Sequence, residues 1–523
     1  MINARIIVQL ANPIGIIHPS LYGYFFDNCG EGIYPGVWVE PNSKIANDDG
    51  LRLDVSNALT KLGPSALRWP GGWYADLHHW RDGIGPRNAR PKSLNPARWD
   101  KAKKRYGVTE SNQFGFEEYM RFCRKIGSEP YLCINMITDT AREAFHWVEY
   151  SNWDGDTFYT KLREKNGSKE PHRVRFWNIG NESAASPEGY AQDFLKFANA
   201  MKRVDGKIEI IAAASGVGND WSAWNPWNQR LMEQLKDYIQ YIDHLAFHYY
   251  VDAGRVVDFS DEQYYEELAH YYVYEDLILN TLRIADFYSR GKKRLGLVID
   301  EWGRVGSPED RMWTVVNTFR EAMLSASILN LFNKYSNRIA MANVSTMINS
   351  GHCLIYADEQ GMFLTPNYYV WDMYKAHKNG TALATIEESP IIKERPLKND
   401  LSSYTCYATA AGVSSIISDE TLGKPLHALS CSASIAGDRK TLSITFLNQS
   451  LTDSMEVAIE IPGKEISKKA SLQTFVSDDV RDINTYDHPT NVKAPIVKEI
   501  LLNANHITIT VPAHSINLLK LSL

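Results

Sequence analysis

Two stretches decide how this chain is read: Phe176-Trp177-Asn178-Ile179-Gly180-Asn181-Glu182 and Val298-Ile299-Asp300-Glu301-Trp302. Each is a short apolar run that stops at a carboxylate. Runs of this length, rich in β-branched and aromatic residues and bounded by turn residues, predict buried strands. Along the chain, eight such runs lie near 21–27, 66–69, 130–136, 174–181, 208–214, 244–250, 295–301 and 342–347. Helix-like runs fall between several of them, at 117–125, 187–204 and 310–325. Eight βα units over about 350 residues predict a (β/α)8 TIM barrel, in which strand ends face the site. The two quoted stretches end the fourth and seventh strands. A doubly wound open sheet gives a similar alternation, but no Gly-rich fingerprint follows an early strand, which argues against dinucleotide binding.

The texture changes near residue 375. Segments at 442–447, 455–461 and 506–511 alternate apolar and polar residues between Gly, Asn, Asp, Ser and Pro turns, the pattern of an antiparallel β-sandwich. The strand at 4–10 precedes the first barrel strand and is expected to pair with that sandwich. The expected organisation is therefore α/β: a catalytic barrel over 15–375, and a sandwich domain made of 1–14 and 376–523.

Composition narrows the function. The chain has 523 residues and a formal net charge of −6, without a Lys/Arg run of the kind that tracks a phosphate backbone, so nucleic acid is not an expected partner. No stretch reaches the roughly 18 apolar residues of a membrane span, and residues 1–10 do not resemble a signal peptide. Cys29, Cys123, Cys133, Cys353, Cys406 and Cys431 are scattered without a CxxC pair, as reduced thiols would be. These features predict a cytoplasmic protein. There is no HExxH, Cys/His cluster or Walker-type loop, so no metal or cofactor is expected. The 14 Trp, 28 Tyr and 18 Phe are mostly core, although aromatic faces also suit sugar binding.

Cleaving a glycosidic bond needs two carboxyl groups flanking it, one protonated to release the leaving group and one ionised. At about 5–5.5 Å apart the ionised one attacks and configuration is retained. Glu182 and Glu301 fit those parts. Ordinary strand-end caps are the bland alternative. Asn181 is placed to bond a sugar 2-hydroxyl, and Trp302 to wall the pocket. In Leu67-Arg68-Trp69-Pro70-Gly71-Gly72-Trp73 the glycines allow a tight backbone, and Arg68 either keeps a catalytic carboxylate ionised or forms a structural ion pair. In His244-Leu245-Ala246-Phe247-His248-Tyr249-Tyr250, period-two alternation puts His248 and Tyr250 on one side. His248 is either a site residue or a satisfied core histidine, and Asp27 either a sugar ligand or an ordinary turn aspartate.

With these motifs in hand, the chain resembles the α-L-arabinofuranosidases of glycoside hydrolase family 51 over nearly its whole length. The resemblance is carried, in order, by 68–72, 79–86, 177–182, 245–250, 298–302 and 364–375. It implies a retaining mechanism with Glu182 as acid/base and Glu301 as nucleophile. Asn181 becomes the 2-hydroxyl partner, Arg68 and His248 supports of the nucleophile, and Tyr250 a neighbour lying against it. It also implies a homo-oligomer, commonly a hexamer, and an arabinofuranose-containing oligosaccharide as substrate. Three positions depart from the family pattern. Asp27 stands where a longer sugar-binding Glu is usual, Trp73 where Asn or Cys often follows the Pro-Gly-Gly, and Thr346 where a sugar-binding Gln is usual. The segment after Trp302 is short, which opens one wall of the expected site. Rival readings are a β-D-galactofuranosidase, which has the same ring stereochemistry with a larger exocyclic group, an endo-β-glycanase, and a non-catalytic sugar-binding barrel.

Overall fold

Eight parallel strands close on themselves in chain order: β2 (Gly23–Phe25), β3 (Ser65–Trp69), β4 (Ser128–Ile134), β5 (Phe176–Ile179), β6 (Glu209–Ala212), β7 (His244–Val251), β8 (Gly296–Arg304) and β9 (Ile339–Val344). The computed structural model describes residues 1–28, 30–100, 103–183, 186–213, 226–251, 254–305, 316–397, 419–464, 469–502 and 507–523. Cys29, Cys406, Ala214, His506, the start of the helix expected at 310–325 and most of the segment following Trp302 lie outside the described residues. All eight expected barrel strands are present. Helices stand between several of them, and the starts of two are written in the sequence. Helix α1 (Pro187–Val204) begins with Pro at its first turn and Ser186 as its cap, and α2 (Phe319–Lys334) with Thr318 and Glu321 as a capping box. Within the described part of the stretch expected at 310–325, helix begins at Phe319, where the cap is, and runs on to Lys334.

Inside the barrel, Ala66, Tyr131, Phe176, Ile211, Ala246, Val298 and Met341 form one buried layer, each from a different strand. Two residues further along, alternation brings Arg68, Asn178, His248 and Asp300 to the next layer up. Strand β8 breaks the alternation. Phe247 pairs with Ile299 but His248 pairs with Glu301, so β8 carries one extra residue at this point. This bulge turns Asp300 and Glu301 both inward. It also reverses the residue after them. Trp302, expected to wall the pocket, pairs with Tyr249, points outward and is fully buried under the helices. There it stacks on Trp371 at 5.7 Å and meets Phe332 edge-on.

Strand β1 (Ile2–Ile16) joins a nine-stranded sheet with β10 (Thr381–Glu388), β11 (Leu429–Ile435), β12 (Thr441–Asn448), β13 (Met455–Glu460), β14 (Lys469–Phe475), β15 (Ile496–Leu501), β16 (Ile507–Val511) and β17 (Ser515–Ser522). Their spatial order is β15-β14-β17-β12-β11-β10-β1-β13-β16. The pairing is antiparallel except between β1 and β13, which run parallel. Ile6, Val8, Phe446, Val457, Ile509 and Leu519, drawn from across the sheet, bury into one apolar cluster, so the sheet curls over its own core. Its other face lies on the barrel flank. Asn330 and Asn333 of α2 donate to the Ser430 and Ser432 hydroxyls at 3.2 and 3.0 Å, and His377 lies between Ser434 and Thr445. Cys123, Cys133, Cys353 and Cys431 are buried and unbridged. Among the described residues no helix is long and apolar enough to cross a membrane.

At the N-terminal mouth of the barrel, the first residue of β7 meets the first of β6: His244 Nε2 lies 2.6 Å from Glu209 Oε2. Arg175 donates through Nε to the same carboxylate at 2.7 Å.

Candidate active site

At the opposite mouth, two glutamates converge. Glu301 sits on the bulge of β8. Glu182 lies just past β5, where Gly180 takes φ +79°, a left-handed turn that favours glycine. An oxygen of Glu182, an oxygen of Glu301 and a ring nitrogen of His248 all lie within 4.8 Å of one another. Both carboxylate side chains are buried, at 8% and 5% exposure.

Each glutamate has its own partners. Arg68 Nη1 donates to Glu301 Oε1 at 2.7 Å, and the Tyr250 hydroxyl donates to Oε2 at 2.5 Å while lying 2.7 Å from Ser345 Oγ. The second arm of Arg68, Nη2, donates to Asn181 Oδ1 at 2.7 Å. That bond occupies the Asn181 carbonyl, leaving its Nδ2 amide as the group to present to a sugar hydroxyl. Glu182 is held differently. His248 Nδ1 is 2.9 Å from its Oε1, and the Trp73 indole Nε1 donates to its Oε2 at 2.9 Å. The sequence reading made His248 a support of the nucleophile; its hydrogen bond goes to Glu182, with Glu301 Oε1 at 3.6 Å.

The surrounding charges set the proton positions. Burial pushes the His248 imidazole down, but the charge of Glu301 and the contacts with Asp300 and Glu182 outweigh it and raise it to about 10. Burial pushes the Glu182 carboxyl up, but the His248 bond and charge and the Trp73 N–H outweigh that, so it lies below its ordinary value. Beneath both, Asp300 is fully buried. It accepts from the Tyr131 hydroxyl at 2.7 Å, and lies 3.8 Å from His248 Nε2 and 3.9 Å from Arg68 Nε. Asp76 accepts from the backbone N–H of Asn181 at 3.1 Å and of Met136 at 3.0 Å, and so anchors the turn that carries Glu182. Burial raises Asp76 to about 6.

Sequence reasoning missed Asp76, Tyr131, Asn178 and Ser345. Tyr131 and Asn178 were legible, since they stand inward by alternation on expected strands; Asp76 lies on a short turn with no periodicity to mark it.

The three departures sit at the rim. A side chain on Gly71, at φ +101°, would meet Asp27 Cβ at 2.0 Å, so the loop after β3 presses directly on Asp27. A Cβ on Gly72 would lie 3.5 Å from Glu301 Oε1 and 3.6 Å from Asp27 Oδ2, which places the Asp27 carboxylate beside the nucleophile. The Thr346 hydroxyl is turned into its own turn, 2.7 Å from the carbonyl of Ser350 and 3.0 Å from that of Ile348. Trp73 is 50% exposed at the mouth. Glu182, His248 and Glu301 also form the cluster, among the described residues, whose spacing suits a metal ion. Arg68 and Tyr250 on one carboxylate, Trp73 on the other and a proton on the imidazole suit it better to acid–base work.

Such a pair of buried carboxylates, one braced by a cation and a phenol and one sharing a proton with an imidazole, can attack a carbon and protonate its leaving group. Known proteins agree. Residues 58–269 match the model of the α-L-arabinofuranosidase 1 domain, and residues 300–515 that of the α-L-arabinofuranosidase C-terminal domain. The chain is 32% identical to an intracellular exo-α-L-arabinofuranosidase of Bacteroides ovatus over 99% of its own length and 96% of that protein's. Among solved structures it is similar to the GH51 arabinofuranosidase of Xanthomonas axonopodis pv. citri, with a TM-score of 0.85, 27% identity and full coverage of both chains. The α-L-arabinofuranosidase of Thermotoga maritima, solved as an arabinose complex, gives a TM-score of 0.82 and 28% identity over 99% of this chain and 100% of that one.

Proposed function

The chain belongs to the α-L-arabinofuranosidases of glycoside hydrolase family 51, and on that basis we propose that it is an exo-acting enzyme releasing terminal α-L-arabinofuranosyl residues from oligosaccharides with retention. The observation that carries the mechanism is the approach of Glu182 and Glu301 oxygens to within 4.8 Å. This spacing suits direct attack and leaves little room for a water between the two groups.

In the first step a Glu301 oxygen bonds to the anomeric carbon as the glycosidic C–O bond breaks, and Glu182 gives its proton to the departing oxygen. In the second, Glu182 takes a proton from water as the water oxygen bonds to that carbon and the bond to Glu301 breaks. Arg68 and Tyr250 orient Glu301 by donating to its two oxygens. In the resting site the proton sits on His248; moving it from Nδ1 to Glu182 Oε1 leaves a neutral imidazole and the carboxylic acid that the first step needs. Asn181 and Asp27 bind sugar hydroxyls. Trp73 and Thr346 border the sugar and aglycone positions.

Initial rates on 4-nitrophenyl α-L-arabinofuranoside, β-D-galactofuranoside, β-D-xyloside and β-D-glucoside test the reading. The arabinofuranoside is expected to be preferred, and Glu301→Ala to lose about 10⁴-fold or more in kcat with its thermal midpoint unchanged. Preference for the galactofuranoside would reassign the sugar. Turnover surviving in Glu301→Ala would remove the nucleophile from its role.

The same reading takes 15–375 as the catalytic unit and 1–14 with 376–523 as the sandwich unit. It also takes the protein as a cytoplasmic homo-oligomer, a hexamer, acting on short oligosaccharides. The name of the Bacteroides ovatus relative supports the location, and light scattering behind a sizing column measures the assembly.

A further inference from the structure

Both oxygens of Glu182 are engaged from different sides. Oε1 faces inward, toward His248 and Glu301; Oε2 faces the half-exposed indole of Trp73 at the mouth. A sugar held against Glu301 brings its leaving group from the mouth, so the glycosidic oxygen must approach the Oε2 side. The two donors differ in kind. An imidazole nitrogen can release its proton and become an acceptor, whereas an indole N–H only donates. While Trp73 bonds Oε2, it favours the carboxylate form of Glu182.

We propose that Trp73 is a positioning residue that switches Glu182 between acid and base: the bound aglycone displaces the indole from Oε2, and the indole returns once the aglycone has left. This rests on the assignment of Glu182 as acid/base and adds the device that times its two roles. In the first step the indole is off Oε2 and its stabilisation of the anion is gone, so the carboxyl that His248 has protonated at Oε1 is free to rotate and present that O–H to the leaving oxygen. In the second step no aglycone occupies the mouth. The indole again donates to Oε2, and Glu182 stays ionised to take a proton from water. Trp73 itself neither gains nor loses a proton. The lowered Glu182 carboxyl of the empty site agrees with the indole-on state.

The second step isolates the switch. Where kcat on a series of aryl α-L-arabinofuranosides does not vary with the leaving group, deglycosylation limits the rate and the acid limb of kcat reports protonation of the base. Trp73→Phe keeps an aromatic ring and removes the N–H; the acid limb is expected to move up by about one pH unit. Trp73→Gln carries a side-chain N–H and is expected to bring the limb back toward the parent value. An acid limb unmoved in Trp73→Phe, or moved equally in both variants, overturns the switch. A parent enzyme that fails to turn over the arabinofuranosides overturns the underlying activity instead, so the two failures are distinct. Trp73 is half exposed, so both variants are expected to fold, which circular dichroism checks.

Discussion

Strand β7 carries a histidine toward each mouth of the barrel, and each is hydrogen-bonded to a glutamate: His244 to Glu209 at 2.6 Å and His248 to Glu182 at 2.9 Å. The pairs look alike, and their surroundings do not. Around Glu209 stand two partners for one acid, His244 and Arg175, with the Arg175 side chain 47% exposed to water. Burial pushes Glu209 up, but these partners outweigh it and hold it at about 2. At the other mouth two cations, Arg68 and His248, face three carboxylates, Glu182, Asp300 and Glu301, all enclosed. An excess of acids over cations means that a proton has to be shared. A histidine–glutamate contact is therefore an ordinary hydrogen bond at one end of the strand and a proton reservoir at the other.

Mutations can break that contrast. The largest effect is expected from Glu182→Gln, with a loss of about 10²–10⁴-fold in kcat/KM on arabino-oligosaccharides and much less on 4-nitrophenyl substrates. Equal losses on both would deny its acid role. Next comes His248→Gln, expected to cost about 10²-fold in kcat/KM on the same oligosaccharides. In the parent enzyme the imidazole keeps its proton until pH nears 10, so kcat/KM should hold through neutrality and fall only on approach to that value; a fall centred near 6.5 would mean that the acids do not hold the proton. Asp76→Asn leaves one of two backbone N–H groups without its carboxylate acceptor and should cost about tenfold in kcat/KM. The parent's loss of activity as Asp76 takes up a proton near pH 6 should disappear in this variant; a persisting inflection would assign it elsewhere. The smallest effect belongs to the other mouth. Glu209→Gln should change kcat/KM by less than about twofold and stability by about 1 kcal/mol or less, read from chemical denaturation. A large loss of activity there would erase the distinction between the two mouths.

The barrel was legible because each strand is a short apolar run ended by a polar residue, and the helix starts were legible where Ser, Thr and Pro stand as caps. The site was legible where chemistry concentrates at strand ends: Arg68, Glu182, His248, Tyr250 and Glu301. Orientation was not legible on β8. Counting by twos from the inward Val298 places Asp300 and Trp302 inside and Glu301 outside; the extra residue exchanges the last two. A bulge adds a residue without altering composition or pattern, so nothing in the sequence marks it. Asp76 was hidden for another reason, since its role depends on two backbone groups, those of Met136 and Asn181, that are remote from it in sequence.

Strand β1 sits between β10 and β13 in the nine-stranded sheet. The ribosome makes β1 some 370 residues before β10, so at roughly 5–20 residues per second the strand waits about 20–70 seconds for that neighbour. Meanwhile Ile6 and Val8, destined for the sheet core, have nothing of their own to cover them. A chain interrupted before residue 381 therefore closes its barrel and still carries β1 as an unpaired apolar strand ahead of it. For this fold, making the strands at 381–388 and 455–460 and shielding β1 are one event.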